Sequence, residues 1–247
     1  MKYKKIVGFG DSWMYGDELL DPVLAQQHSD AHSCWVQNNT YRNNHSFLGL
    51  LGKHYNVPVE NFGIPGGSMQ SSIWTFQWWL DHEPEPEQCL VLVGHTDSDR
   101  LTFYNPNHVS YSNDPPWNKF IHSSWVEFGS SVIPEEFRTM VKQQLVLTNC
   151  AELSRLNYQQ TLMFFDGVSA RHNIPMMQFH VMPAECEMKN TPTLIWPGLA
   201  TTLWFRDHPG NRNRELVMPG GHPNEIGHQM IAEKLISTID SATMRGC

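Results

Sequence analysis

An α/β fold with a parallel sheet covered on both faces is what this sequence predicts, and three observations predict it. Short apolar runs stand at residues 5–9, 57–61, 88–94 and 176–182, each ending near Gly, Pro or a polar residue as buried parallel strands do. Helical patterns alternate with them, and such alternation implies parallel pairing with helices on either side. The first run closes in Gly8-Phe9-Gly10-Asp11-Ser12, which sets a hydroxyl at a strand's carboxyl end, where open α/β sheets hold their ligands.

The elements follow in order. A helix is expected over 47–55 and another over 68–81, the second stopped by Glu83-Pro84-Glu85-Pro86. From 134 to about 172, Phe137, Met140, Val141 and Leu145, then Leu156, Met163, Phe164 and Val168, recur at the three- and four-residue spacing of an amphipathic helix. A last helix begins after Pro223 and runs to about 239, with Ile226, Met230, Ile231 and Leu235 facing inward. Three stretches break the alternation. Residues 17–45 are polar, His- and Asn-rich and without clear period; 97–132 carry Phe103, Tyr104, Tyr111, Trp117 and Trp125 among Asn, Ser and Pro; 183–218 carry Trp196 and Trp204. Irregular segments this long are expected to be binding insertions in one domain spanning 1–247.

Bulk chemistry narrows the function. The chain has 247 residues, 40% hydrophobic and 17% charged, enough for a full core. Its formal charge of −8 argues against a nucleic-acid backbone or an anionic membrane surface as partner. The five Cys lie far apart without a CxxC pair, which reads as reduced thiols packed as small hydrophobes. The N-terminal apolar stretch stops after about four residues, too short for a secretory leader. No run approaches the roughly 18 apolar residues of a membrane helix, so a soluble, cytoplasmic protein is expected.

The second chemical signal is Gly221-His222-Pro223-Asn224, which opens the last helix about 210 residues after Ser12. A Ser and a His so placed are the two ends of a nucleophile–base pair that folding would bring together. Four segments in this order resemble the blocks of the SGNH hydrolases, the GDSL esterase/lipase superfamily: Gly10-Asp11-Ser12; Asn61-Phe62-Gly63-Ile64-Pro65-Gly66-Gly67-Ser68; Val93-Gly94-His95-Thr96-Asp97; and Gly220-Gly221-His222-Pro223. The resemblance implies a flavodoxin-like three-layer α/β/α sandwich and hydrolysis of an ester, above all an O-acyl group on a carbohydrate, with no cofactor. It implies Ser12 as nucleophile, His222 as general base, and the N–H groups of Ser12 and Gly66 with Thr96 as the oxyanion hole. The chain also resembles bacteriophage-encoded members, which implies a virion or host-cell location.

Two positions depart from the family's pattern. Thr96 stands where the family has Asn, so a hydroxyl replaces an amide donor. Pro219 stands where the family has the acid three residues before its His. Losing that carboxylate lowers turnover in a serine triad by roughly 10⁴. Three arrangements follow: a Ser–His dyad, an acid relocated to Glu215, Asp207 or Glu225, or a binding or virion structural protein with weakened turnover.

Other residues have two readings each. Asp11 and Ser12 could close a turn or cap a helix. Arg100 could clamp an anionic substrate group or pair with Asp97 or Asp99. Trp13, Trp117, Trp125, Trp196 and Trp204 could form stacking platforms for sugar rings or a protein-binding surface. Trp74, Trp78 and Trp79 fall in a helical stretch and are expected in the core, and His228 is expected to be structural. His28 and His32 are spaced as zinc ligands on a helix would be, but no Glu follows the first His and the surroundings read as loop, so no metal is expected.

Overall fold

The computed structural model describes residues 3–29, 34–96, 100–104, 120–123, 139, 151–181, 216–218 and 221–244. Four strands form one parallel sheet: β1 (Lys5–Gly10), β2 (Val59–Gly63), β3 (Cys89–His95) and β6 (Met176–His180), in the order β2-β1-β3-β6. Around it lie α1 (Ser12–Tyr15), α2 (Trp35–His45), α3 (Phe47–Tyr55), α4 (Met69–His82), α5 (Ala151–His172) and α6 (Glu225–Met244). The chain leaves β1 for one side and returns to build β3 on the other, so the topological switch point falls between the carboxyl ends of β1 and β3.

Two separate cores show why this is a three-layer α/β/α arrangement. Side chains alternate along each strand. Ile6, Leu90, Leu92, Met177 and Phe179 pack with Phe47, Leu48 and Leu51 of α3 and Ile231, Leu235 and Ile239 of α6. Val7, Phe9, Val91 and Val93 point the other way, onto Phe76 and Trp79 of α4 and Phe165 of α5. The second core is aromatic: Phe9 stacks on Phe62 at 5.3 Å between centroids and meets Phe76 edge-on at the same separation. Trp79 is buried here and Trp78 is partly exposed, so the helical Trp cluster divides between core and surface.

The predicted runs return as strands with one shift. The second strand begins at Val59, because Pro58 has no N–H for a ladder and contributes only its carbonyl, which accepts from Ile6 N–H at 3.0 Å. The third long helix is described from Ala151; its expected beginning at 134–150 lies outside the described residues apart from Thr139. Two irregular regions need correction. Residues 17–45 contain α2, a helix polar nearly all round that buries only Asn38 and Arg42 among its described side chains and therefore gives no apolar stripe to read. Residues 97–132 contain β4 (Leu101–Tyr104) and β5 (Phe120–Ser123), an antiparallel pair outside the main sheet. The region 183–218 is described only at Leu216–Met218, and Trp117, Trp125, Trp196 and Trp204 lie outside the described residues. Of the cysteines, Cys34 and Cys89 are described, and both are buried. No helix among the described residues is long and apolar enough to cross a membrane.

Candidate active site

Ser12 is the first residue of α1, a single helical turn that starts where β1 ends. Asp11 caps it by accepting from Trp13 N–H at 3.0 Å. Gly16 ends it in the left-handed region (φ 80°), and the N–H groups of Gly16 and Asp17 both return to the Ser12 carbonyl, at 3.0 and 2.9 Å. The chain has turned back on itself within six residues of Ser12. Close approach makes this possible: a Cβ on Gly63 would lie 2.3 Å from the Tyr15 nitrogen, so only glycine lets the end of β2 sit under α1.

His222 is presented by a second tight structure. Met218 N–H donates to the His222 carbonyl at 2.8 Å, Gly221 N–H to Met218 at 2.9 Å and Asn224 N–H to Leu216 at 2.9 Å. Buried Leu216 and Val217 anchor this loop in the α3/α6 core, and Asn224 caps α6 by accepting from Gly227 N–H at 3.0 Å.

The two segments meet. Ser12 Oγ lies 2.8 Å from His222 Nε2. The opposite ring nitrogen, Nδ1, lies 2.7 Å from Glu18 Oε2, and the same carboxylate oxygen accepts from the His222 backbone N–H at 3.2 Å. With Nδ1–H donating to Glu18, Nε2 carries the lone pair that accepts from the Ser12 hydroxyl. Asp17 adds a second carboxylate, 3.9 Å from Nε2. Burial pulls the imidazole's pKa down; the Glu18 hydrogen bond and the charges of Asp17, Glu18 and Asp11 outweigh it and hold the pKa above the ordinary histidine value.

Glu18 is a residue the sequence reading missed. The search for an acid looked near the His, where the family pattern puts it, while the carboxylate comes from six residues after Ser12. The available signal was the pair Asp17-Glu18 directly behind a helix-ending Gly. Glu18 adopts φ 63°, a left-handed conformation that costs a non-glycine residue on the order of 1 kcal/mol or more and persists only where surroundings enforce it. Of the three acids considered, Glu225 is corrected: its carboxylate takes the Tyr41 hydroxyl, and Nδ1 already has its partner. Glu215 and Asp207 lie outside the described residues, as does Pro219.

The remaining candidates sort differently from expectation. Gly66 follows β2 with φ 71°, and its N–H, like that of Ser12, has no acceptor among the described residues. The Thr96 hydroxyl donates instead to Asp11 Oδ2 at 2.7 Å, so its proton is spent inside the fold. Arg100 reaches the same oxygen at 3.3 Å and the Gly67 carbonyl at 3.4 Å, which makes it a partner of Asp11; Asp97 and Asp99 lie outside the described residues. Asp11 is fully buried, and the Trp13 N–H, the Thr96 hydroxyl and the Arg100 guanidinium converge on it. Trp13 is 1% exposed and packs in the α3/α6 core, so it offers no platform to a ligand. His228 is buried with Nδ1 accepting from Phe47 N–H at 3.1 Å, a structural tie between α6 and α3. His28 lies in a loop and His32 outside the described residues, and among the described residues no three His, Cys, Asp or Glu side chains gather as a metal site requires.

No family model matches the chain, and no curated protein matches it. Among solved structures it is similar to a carbohydrate esterase whose active site displays divergent catalytic and non-catalytic binding functions (12% identity, TM-score 0.47, covering 98% of this chain and 66% of that one). It is also similar to an α/β hydrolase enzyme from the metagenome of Lake Arreo, Spain (15% identity, TM-score 0.48, 95% and 94% covered). A third is a member of the lipolytic protein G-D-S-L family from Veillonella parvula DSM 2008 (16% identity, TM-score 0.38, 94% and 96% covered).

Proposed function

We propose that this protein is a serine esterase of the SGNH type in which Glu18 replaces the missing acid, acting on an O-acyl group of a carbohydrate. One observation carries the reading: a hydroxyl, an imidazole and a carboxylate in series, at 2.8 and 2.7 Å, at the switch point of a parallel sheet. As Ser12 Oγ attacks the ester carbonyl carbon, its proton passes to His222 Nε2. The carbonyl electrons move onto oxygen, where the N–H groups of Ser12 and Gly66 receive the charge. Collapse expels the sugar alkoxide, which takes the proton from Nε2, and leaves an acyl-Ser12. Water then gives a proton to Nε2 and attacks the acyl carbon; the carboxylic acid departs and Ser12 regains its hydrogen. Glu18 fixes the ring's tautomer and balances the imidazolium at each pass.

The carbohydrate part of the reading rests on the Trp, Asn and Ser content of the irregular segments, which suits the C–H faces and hydroxyls of pyranose rings. A second reading, a sugar-binding protein of slow turnover, is favoured by Thr96, whose hydroxyl is turned to Asp11 and so leaves the oxyanion one donor poorer. A fluorophosphonate and p-nitrophenyl acetate separate the two. The esterase reading expects a single mass adduct on Ser12, absent in Ser12→Ala, and hydrolysis on the order of 10⁶-fold above that variant. Acetate release from an acetylated xylo-oligosaccharide then tests the substrate class. No adduct and no hydrolysis beyond Ser12→Ala would overturn the esterase in favour of the binding protein.

A further inference from the structure

A groove of about 740 Å³ runs along the edge of β2 that pairs with no strand among the described residues, between that strand, α1, α2 and α3. Arg42 and Lys53 line it together with Asn39, Asn43, Asn56 and Asn61, and among the described residues its lining includes no Asp or Glu. In a chain of net charge −8 such a surface runs against the overall sign. Its volume falls in the range of small-molecule sites.

Arg42 is its centre. The residue is 7% exposed, and its guanidinium carbon sits 3.4 Å from the centre of the Tyr15 ring. Nη2 donates to the side-chain oxygens of Asn39 and, at 3.4 Å, of Asn43, both neutral amides. Nε is enclosed without an acceptor, and no carboxylate among the described residues reaches ion-pair distance. The contrast with Arg100 is direct: that cation has buried Asp11 as counter-charge. A guanidinium stays charged when buried, so an unneutralised one is costly unless something else supplies the negative charge. Desolvation by burial draws its pKa down to about 10, as expected of a cation with no anion beside it. Lys53, exposed at the rim, donates to the Asn44 carbonyl at 2.9 Å and likewise has no carboxylate partner among the described residues.

We propose that this groove binds a carboxylate-bearing, hydroxyl-rich ligand, in chemical class an acidic sugar. The carboxylate fits the guanidinium fork and the rim ammonium, and the Asn amides offer the mixed donors and acceptors that sugar hydroxyls need. The groove adjoins the Ser12 turn: Tyr15 belongs to both, and Asn61 Nδ2 donates to the carbonyls of Met14 at 2.9 Å and Tyr15 at 3.4 Å. The proposal stands on the groove alone and does not require that the Ser12 site turn over.

Sodium glucuronate, glucose and inorganic phosphate, titrated into ¹⁵N-labelled protein, test it. Glucuronate is expected to shift the Arg42 Nε–H and the Asn39, Asn43 and Asn56 amide signals saturably. Glucose should shift none of them, and phosphate should bind at least about tenfold more weakly. Arg42→Met removes the fork and should abolish the shifts. Because that variant could fail to fold, Lys53→Gln and Asn56→Asp carry the test at the exposed rim, each weakening glucuronate several-fold, with the second retaining a residue that tolerates φ 52°. Ser12→Ala is expected to bind glucuronate unchanged, which keeps this outcome separate from loss of hydrolysis. Absence of shifts, equal binding of glucose or phosphate, or affinity indifferent to both rim variants overturns the proposal.

Discussion

His222 and His95 are both held at the carboxyl-terminal side of the sheet, and burial pushes both pKa values down, yet they end on opposite sides of the ordinary value. His95 Nε2 meets the amide oxygen of Gln178 at 2.8 Å, and Gln178 in turn donates to Asp166 at 2.6 Å. A neutral amide thus stands between the imidazole and the nearest carboxylate of its network, and burial wins, bringing the pKa to about 4. His180, beside the Tyr158 hydroxyl, falls to about 3 for the same reason, with His95 adding to it. His222 touches a carboxylate directly and is raised. Depth alone does not decide whether a histidine can exchange protons near neutrality; the charge of its immediate partner does.

The largest effect should come from erasing that difference. Glu18→Gln keeps the shape of the side chain and gives His222 the same kind of partner His95 has. Steady-state hydrolysis is expected to fall by roughly 10⁴ in kcat. The acid limb of its pH profile should move downward, since activity requires a neutral imidazole and the native pKa stands above the ordinary one. A Gln variant of native rate would reduce Glu18 to packing.

Asp11 offers the next contrast, a carboxylate beside Ser12 that serves the fold. Arg100→Met strips a cation from a fully buried anion and should cost about 3 kcal/mol in urea unfolding, with Thr96 and the Trp13 amide left to hold it. His95→Leu should cost about 1–3 kcal/mol by leaving the Gln178 oxygen unsatisfied, while hydrolysis stays within several-fold of native. A large loss of rate with unchanged stability would move His95 from the fold's side of the comparison to the site's.

In the pH dependence of stability the two kinds of histidine pull in opposite directions. His95, His180 and His228 have lowered folded pKa values, the last about 3, chiefly through burial. Their contribution is present above about 6.5, the unfolded value, and is lost as pH falls through the folded ones. His222 is raised, so its contribution is complete below about 6.5 and is lost as pH rises through its folded value. Urea midpoints measured from pH 8 to pH 4 should therefore decline mainly on the acid side, and His228→Leu should flatten that decline.

Particular residues show what could be read without coordinates. The strands were legible because apolar β1 and β3 are buried on both faces, and Ser12 and His222 because each sits at the junction of a strand or loop with a helix. Glu18 was not, because its place depends on a four-residue helix reversing the chain and on a left-handed backbone that no propensity favours for Glu. Helix α2 was hidden by its polar circumference, and Thr96 by a choice of partner that only the depth of Asp11 explains. The burial of Arg42 had no signal in the sequence, because the helix that carries it had none.

Ser12 and Glu18 lie on one short reversal of the chain, while the His222 imidazole arrives on a separate loop tethered by Leu216 and Val217. Displacing that loop would break both hydrogen bonds of the His222 ring at once, so substitutions that loosen Leu216 or Val217 are expected to disturb the contacts to Ser12 and Glu18 together.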